Sequence, residues 1–558
     1  MRRKRSRGVE MVLGVCLAGA ACAADVRAQA GVAGEGGSSQ AKIVAYIANG
    51  WDTLSRSMSE CKSVVDIKVT TAPVLYLPAG MAVPPEVAAM QQQCRVDVRH
   101  LPRSIHHIDE VRPEELPANG LLYLPNRYVV PGGRFNEMYG WDSYFILLGL
   151  VHDGRTAMAK GMVENFFFEI ENYGAILNAN RTYFFTRSQP PFLSSMIREV
   201  YEYSGSSDTG WLARAYGLAQ RDYGLWTSAE HRAGDTGLAR YFDLGSGPVP
   251  EMADDSSYYP DVIRWLEGHP DAGGMYLVDG AETPTAAQAA ALAKTSCDVR
   301  QSHVCARAVA DGHRLSAAYY RSDRAMRESG FDTSFRFGPF SGGTADYAPV
   351  CLNSLLYKYE KDMAHFAAVL GRREDVRVWL SRAAARQAAM DRYLWDGSSG
   401  MYFDYDYVKG KRSSYEFVAT FYPLWAGAAS KAQAASVKAH LGDFERAGGL
   451  ATSAAASGVQ WDMPFGWAPT TWLAVDGLDR AGYPADAARV AREFSKTVLD
   501  NFERDGTMRE KYNVVDGSAN VKVAAGYKSN VVGFGWTNAV YLKLQDVLAG
   551  GAEVTTGR

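Results

Sequence analysis

Residues 131–144 read Pro-Gly-Gly-Arg-Phe-Asn-Glu-Met-Tyr-Gly-Trp-Asp-Ser-Tyr, a concentration of side chains suited to chemistry on a polar ligand. Gly132 and Gly133 predict a tight turn where backbone approaches a ligand closely. Arg134, Glu137, Trp141, Asp142 and two tyrosines crowd around it. Aromatic rings stack on the C–H faces of sugars, while carboxylate and guanidinium groups bind hydroxyls, so the set suits a polyhydroxyl ligand. Residues 460–469, Gln-Trp-Asp-Met-Pro-Phe-Gly-Trp-Ala-Pro, repeat the Trp-Asp pairing beside an amide, Gly and Pro. Each aromatic, taken singly, reads equally well as helix core. The constellation reads as a carbohydrate site.

Together the two runs resemble the signatures of the trehalases, glycoside hydrolase family 37, and every fixed position of the first one matches from Pro131 to Tyr144. The resemblance extends from about Leu121 to about Leu548. It implies an (α/α)6 toroid, a helical barrel whose long loops at one end build the site. It implies hydrolysis of α,α-trehalose to two glucoses, with no cofactor and with water and the disaccharide as the small-molecule partners.

Glycoside hydrolysis needs one protonated carboxyl group to donate to the leaving oxygen and one ionised carboxylate to activate water or attack carbon. With 62 acidic residues, counting does not select the pair. Residues 328–336, Glu-Ser-Gly-Phe-Asp-Thr-Ser-Phe-Arg, match the family segment carrying the general acid, which falls on Asp332. Flanking phenylalanines would desolvate that carboxyl and raise its pKa, as an acid catalyst requires. By itself, Ser-Gly-x-Asp is also an ordinary turn. Residues 508–513, Met-Arg-Glu-Lys-Tyr-Asn, match the general-base segment at Glu510, where Arg509 or Lys511 would favour the ionised form. An isolated Glu-Lys pair is otherwise usually a solvated surface. If both roles hold, the reaction inverts the anomeric centre in a single step.

The same resemblance assigns sugar contacts to Arg134, Trp141 and Asp142 in the first signature, and to Asn178 in Leu-Asn-Ala-Asn-Arg. It also assigns them to Arg187, Ser188 and Gln189 in Arg-Ser-Gln, and to Glu251 and Gly330. The chain departs from the pattern as well. Val249 stands where the family has Arg before Pro-Glu, and the Glu preceding Gly533-Phe534-Gly535-Trp536-Thr537-Asn538 is missing. Phe465 replaces Asn and Cys351 replaces Asp. A lost charged hydrogen bond to a sugar typically costs ~1.5–3 kcal/mol. The alternatives are therefore a related helical-barrel glycosidase acting on another glucoside or modified trehalose, or a non-catalytic sugar-binding protein. Retention of two carboxyls at the acid and base positions favours an enzyme.

Positioning these residues falls to helices. From 141 to 549, apolar residues recur at helical spacing in about a dozen segments separated by Gly, Pro, Asn or Asp. Periodicity alone supports one large all-α domain. Residues 41–120 mix a short helix with Pro-bounded apolar pieces and predict an irregular N-terminal extension wrapping the barrel domain of 121–550, with a short tail at 551–558. Residues 242–285, rich in Gly, Pro, Asp and Tyr, predict a long connection suited to a lid.

The N-terminus suggests export. A basic run (Arg2, Arg3, Lys4, Arg5, Arg7) precedes an apolar stretch and Ala28-Gln29-Ala30, predicting a signal peptide over 1–30, a flexible linker over 31–40 and a periplasmic or secreted protein. The apolar stretch is too short for stable membrane insertion. Cys61 with Cys94, and Cys297 with Cys305, are candidate disulfides, leaving Cys351 as a buried thiol. No Cys or His spacing predicts a metal site, and a net charge of −3 offers no electrostatic attraction for nucleic acid. A monomer is the default expectation.

Overall fold

The computed structural model describes residues 38–65, 72–203, 207–249, 251, 257–279, 309–524 and 529–556. The proposed signal peptide and most of the 31–40 linker lie outside them, as do Cys297 and Cys305.

Sequence pattern sorts the helices into two rings. The Gly140–His152 helix is buried without interruption from Gly140 to Leu150, and Ala468–Arg480 is nearly so; helices apolar on all sides belong inside a protein. Pro484–Asp505 instead buries Ala487, Val490, Ala491, Phe494, Val498 and Phe502, the one-sided stripe of an outer helix. Among the described residues, six helices pack neighbour to neighbour and close on themselves: Gly140–His152, Leu193–Tyr203, Val350–Val369, Tyr422–Ala426, Ala468–Arg480 and Gly535–Thr556. Thr156–Asn172, Thr209–Trp226, Arg373–Tyr393 and Pro484–Asp505 pack outside them. This is an (α/α)6 toroid.

Ser39–Thr53 belongs to the same layer. It packs on Gly535–Thr556 and Pro484–Asp505, buries Ile43, Ile47 and Trp51, and is capped where Ser38 Oγ accepts from Ala41 N. The segment expected to wrap the barrel therefore begins with one of its helices. It continues into a parallel three-stranded sheet with Val74–Leu77 at its centre, between Asp97–His100 and Leu121–Leu122. The first crossover carries the Pro85–Cys94 helix, as parallel pairing requires. Cys61 and Cys94 form a disulfide with Cα atoms 5.6 Å apart. Cys351 is the buried free thiol expected, accepting from Arg336 Nη1 at 3.4 Å.

The 242–285 connection contains a helix, Tyr258–Gly268. It builds a small second core with Leu315, Tyr319, Tyr320 and Phe340 beside the Ala317–Glu328 helix. Val249 is buried in that core.

Asp222, on the outer Thr209–Trp226 helix, is buried and accepts from Tyr359 Oη at 2.9 Å. Burial pushes its carboxyl up to about 7. In the unfolded chain it would ionise near its ordinary value of 3.8, so the folded state holds the proton more tightly and stability falls as pH rises between those values. Asp222→Asn mimics the neutral acid. Urea melts should show it matching wild type near pH 3 and exceeding it above pH 7 by up to about 4 kcal/mol. Equal stabilities at both pH values would refute this account.

Candidate active site

One cavity gathers residues that are distant in sequence, near the first turns of the Gly140–His152, Ala468–Arg480 and Gly535–Thr556 helices. Helix starts leave main-chain N–H groups unpaired and present positive dipole ends, which suits a site rich in carboxyls and hydroxyls. Of the expected site residues, Arg134, Trp141, Asp142, Asn178, Arg187, Gln189, Glu251, Gly330, Asp332 and Glu510 all line it. Ser188 does not. Its Oγ donates to Ile176 O at 2.6 Å and its N–H to Glu328 Oε1 at 3.3 Å, so it shapes the loop without facing the cavity.

The first signature enters as a loop and ends in a helix start. Gly132 matters for a reason other than the one expected. A Cβ there would lie 2.8 Å from Val531 Cγ1, so its smallness admits the C-terminal segment and not a ligand. Gly535 N donates to Pro131 O at 2.6 Å, sealing the same junction. Trp141 N donates to Gln189 Oε1 at 3.0 Å, and its indole meets Phe331, Trp461 and Trp536. Gly330 has a φ of +76°, and a Cβ there would lie 2.8 Å from Trp141 Cε2. Gly330 thus lets the chain that carries Asp332 pass across the indole.

Arg187 holds a buried network. Its Nε donates to Asn178 Oδ1 at 2.7 Å, and its other nitrogens meet Glu251 and, at 3.5 Å, Asp243. Arg324 braces the same loop from the Ala317–Glu328 helix, donating to the carbonyls of Ser246, Gly247 and Pro248 and pairing with Asp243 at 3.1 Å.

The two carboxyls of interest sit in different surroundings. Burial pushes Asp332 up to about 7, with Arg327 opposing the rise and Glu251 adding to it. Arg327 Nη1 lies 3.7 Å from Asp332 Oδ2. Glu510 Oε2 accepts from Lys511 Nζ at 2.9 Å, and that ammonium is fully buried, 5.0 Å from the centre of the Trp467 ring. Glu510 is fixed at the main chain too: its N–H donates to Val531 O at 3.0 Å and its carbonyl accepts from Trp536 Nε1 at 3.1 Å. Asp142, in the first turn of its helix, also lines the cavity, and burial raises its pKa well above the usual range, with Glu510 and Asp332 adding to the rise.

Several lining residues were not picked out as site residues from sequence. Trp461, Trp467 and Trp536 belong to runs noted as motifs. Glu137, grouped with the polar-ligand residues of the first run but given no sugar contact, is buried and paired with Arg181 at 2.5 Å. Arg327 was missed entirely. The available signal was a charged residue four positions after Asp323 on a helix otherwise full of buried polar groups.

The family model described as Trehalase matches residues 45–549. The chain belongs to the trehalase family. Hydrolysis of a glycosidic bond, the trehalase reaction, is therefore its chemistry. A probable trehalase of Eremothecium gossypii is 33% identical, covering 88% of this chain and 70% of the relative. A cytosolic neutral trehalase of Kluyveromyces lactis is 35% identical, covering 78% of this chain and 57% of the relative. The solved neutral trehalase of Saccharomyces cerevisiae superposes with a TM-score of 0.73 at 31% identity, covering 92% of this chain and 95% of that one.

These relatives overturn the expectation of a periplasmic or secreted protein. Trehalases of Kluyveromyces lactis, Emericella nidulans and Pyricularia oryzae that match this chain are named cytosolic. A short apolar stretch behind a few basic residues is too common a pattern to specify export, whereas these likenesses span most of the chain. No helix among the described residues is long and apolar enough to cross a membrane.

Proposed function

We propose that this trehalase-family chain hydrolyses α,α-trehalose in one inverting step, with Asp332 as general acid and Glu510 as general base. The observation that carries the reading is the pairing of unlike carboxyls in one aromatic-walled cavity. Asp332 is desolvated enough to retain a proton near neutral pH, and Glu510 stands against a buried ammonium. In the step, Glu510 takes a proton from water as the oxygen attacks the anomeric carbon. The bond from that carbon to the bridging oxygen breaks, and Asp332 protonates the departing glucose. The attacked sugar leaves as β-glucose and the other as α-glucose. Carboxyl pairs that work this way stand roughly 6.5–9.5 Å apart, which leaves room for the water.

Arg134, Asn178, Arg187, Gln189 and Glu251 would bind sugar hydroxyls, with Trp141 and Trp461 as walls. Val249, in place of the family's Arg, is packed into the second core, and Arg327 brings a guanidinium into the cavity from another element. Proton NMR of trehalose during hydrolysis by the full chain tests the reading. Equal initial amounts of α- and β-glucose are expected. An excess of α-glucose would indicate retention and remove Glu510 from the base role.

A further inference from the structure

The Gln460-Trp461-Asp462 run does more than line the cavity. Each of its three residues reaches the loop that carries the proposed acid. Gln460 Nε2 donates to Asp332 O, and Trp461 N donates to Thr333 O at 3.0 Å. Asp462 Oδ1 accepts from Ser334 Oγ at 2.8 Å, while Oδ2 accepts from Phe335 N at 2.8 Å and from Ser457 Oγ. Four consecutive residues, 332 to 335, are thus held by three. Asp462 is fully buried and does not line the cavity, so substrate does not reach it.

The same run continues to the base. Phe465–Trp467 pairs antiparallel with Lys511–Asn513, setting Trp467 opposite Lys511, the residue after Glu510. One short stretch of chain therefore grips the acid loop at its start and the base strand at its end. A buried carboxylate accepting from two neighbouring loop donors is a stiff tether, because charge-assisted hydrogen bonds are short and strong.

We infer that Asp462 is a positioning residue that fixes the general acid relative to the base, through its hold on Ser334 and Phe335. The inference rests on the reading of Asp332 as acid. A displacement of about 1 Å at a reacting group can cost on the order of 100-fold in rate.

The test compares trehalose with α-D-glucosyl fluoride, whose leaving group departs without a proton from the enzyme. Asp462→Ala should lower kcat on trehalose ~30- to 100-fold with KM changed less than about threefold, and should leave fluoride hydrolysis within about threefold of wild type. Asp462→Asn, which keeps an acceptor for Phe335 N, should recover much of the loss. Ser334→Ala, which removes one tether without emptying the core, should show a smaller loss with the same substrate split, and it serves if Asp462→Ala does not fold. Equal losses on both substrates, or no loss on trehalose, would overturn the inference. Asp332→Asn run alongside separates the two claims. If it retains trehalose turnover, the acid reading fails and this inference fails with it. If it is inactive while the Asp462 and Ser334 variants match wild type, only this inference fails.

Discussion

Asp332→Asn should reduce trehalose hydrolysis by ~10³-fold while sparing α-D-glucosyl fluoride. Asn keeps the volume and cannot donate a catalytic proton, and general acid catalysis is worth roughly 10²–10⁴-fold. The sign of the pH dependence follows from burial. A carboxyl raised to about 7 is protonated below that value, so wild-type kcat on trehalose should fall as pH rises through about 7. Fluoride hydrolysis should lack that limb, since no proton is required. Arg327 opposes the rise from 3.7 Å, which keeps the acid near neutrality and not far above it. A full-strength Asp332→Asn enzyme on trehalose would refute the assignment, and so would an alkaline limb that survives the substitution.

Glu510→Gln should be as severe, and on both substrates. Water must be activated whatever the leaving group, so trehalose and fluoride hydrolysis should each drop ~10³-fold. Gln fills the space but cannot accept the proton, and Lys511 is left as a buried cation without its carboxylate. A loss of stability measured beside activity would separate that structural cost from the catalytic one. Azide needs no deprotonation. Added to the variant with glucosyl fluoride, it should restore turnover and give β-glucosyl azide, from attack on the face opposite the departing fluoride. Formation of the α-azide would place the nucleophile's entry on the other face and refute the role of Glu510.

Asp142 bears on both experiments. It lines the same cavity, and burial together with the neighbouring Glu510 and Asp332 carboxyls favours its neutral form. A neutral Asp142 can donate to a sugar hydroxyl, in keeping with the sugar contact the resemblance assigns to it, while adding no further negative charge beside the reacting pair.

Sequence by itself determined the helical class and the short runs from which most of the cavity lining is drawn. The reason is local. Signature positions lie within runs of ten to fifteen residues, and apolar periodicity reports whether a helix is buried all round, as Gly140–His152 is, or on one side, as Pro484–Asp505 is. Tertiary structure alone decided the rest. Ser39–Thr53 is a barrel helix because it meets Gly535–Thr556, nearly five hundred residues away, and no periodicity announces a partner. Ser188 turns to Ile176, and Gly132 makes room for Val531, although both sit inside runs that match sugar contacts. Arg327 looks like an ordinary helix charge until folding sets it beside Asp332. A residue's type is local, but its neighbours, and hence its burial, its pKa and its access to substrate, are set by chain that lies far away in sequence.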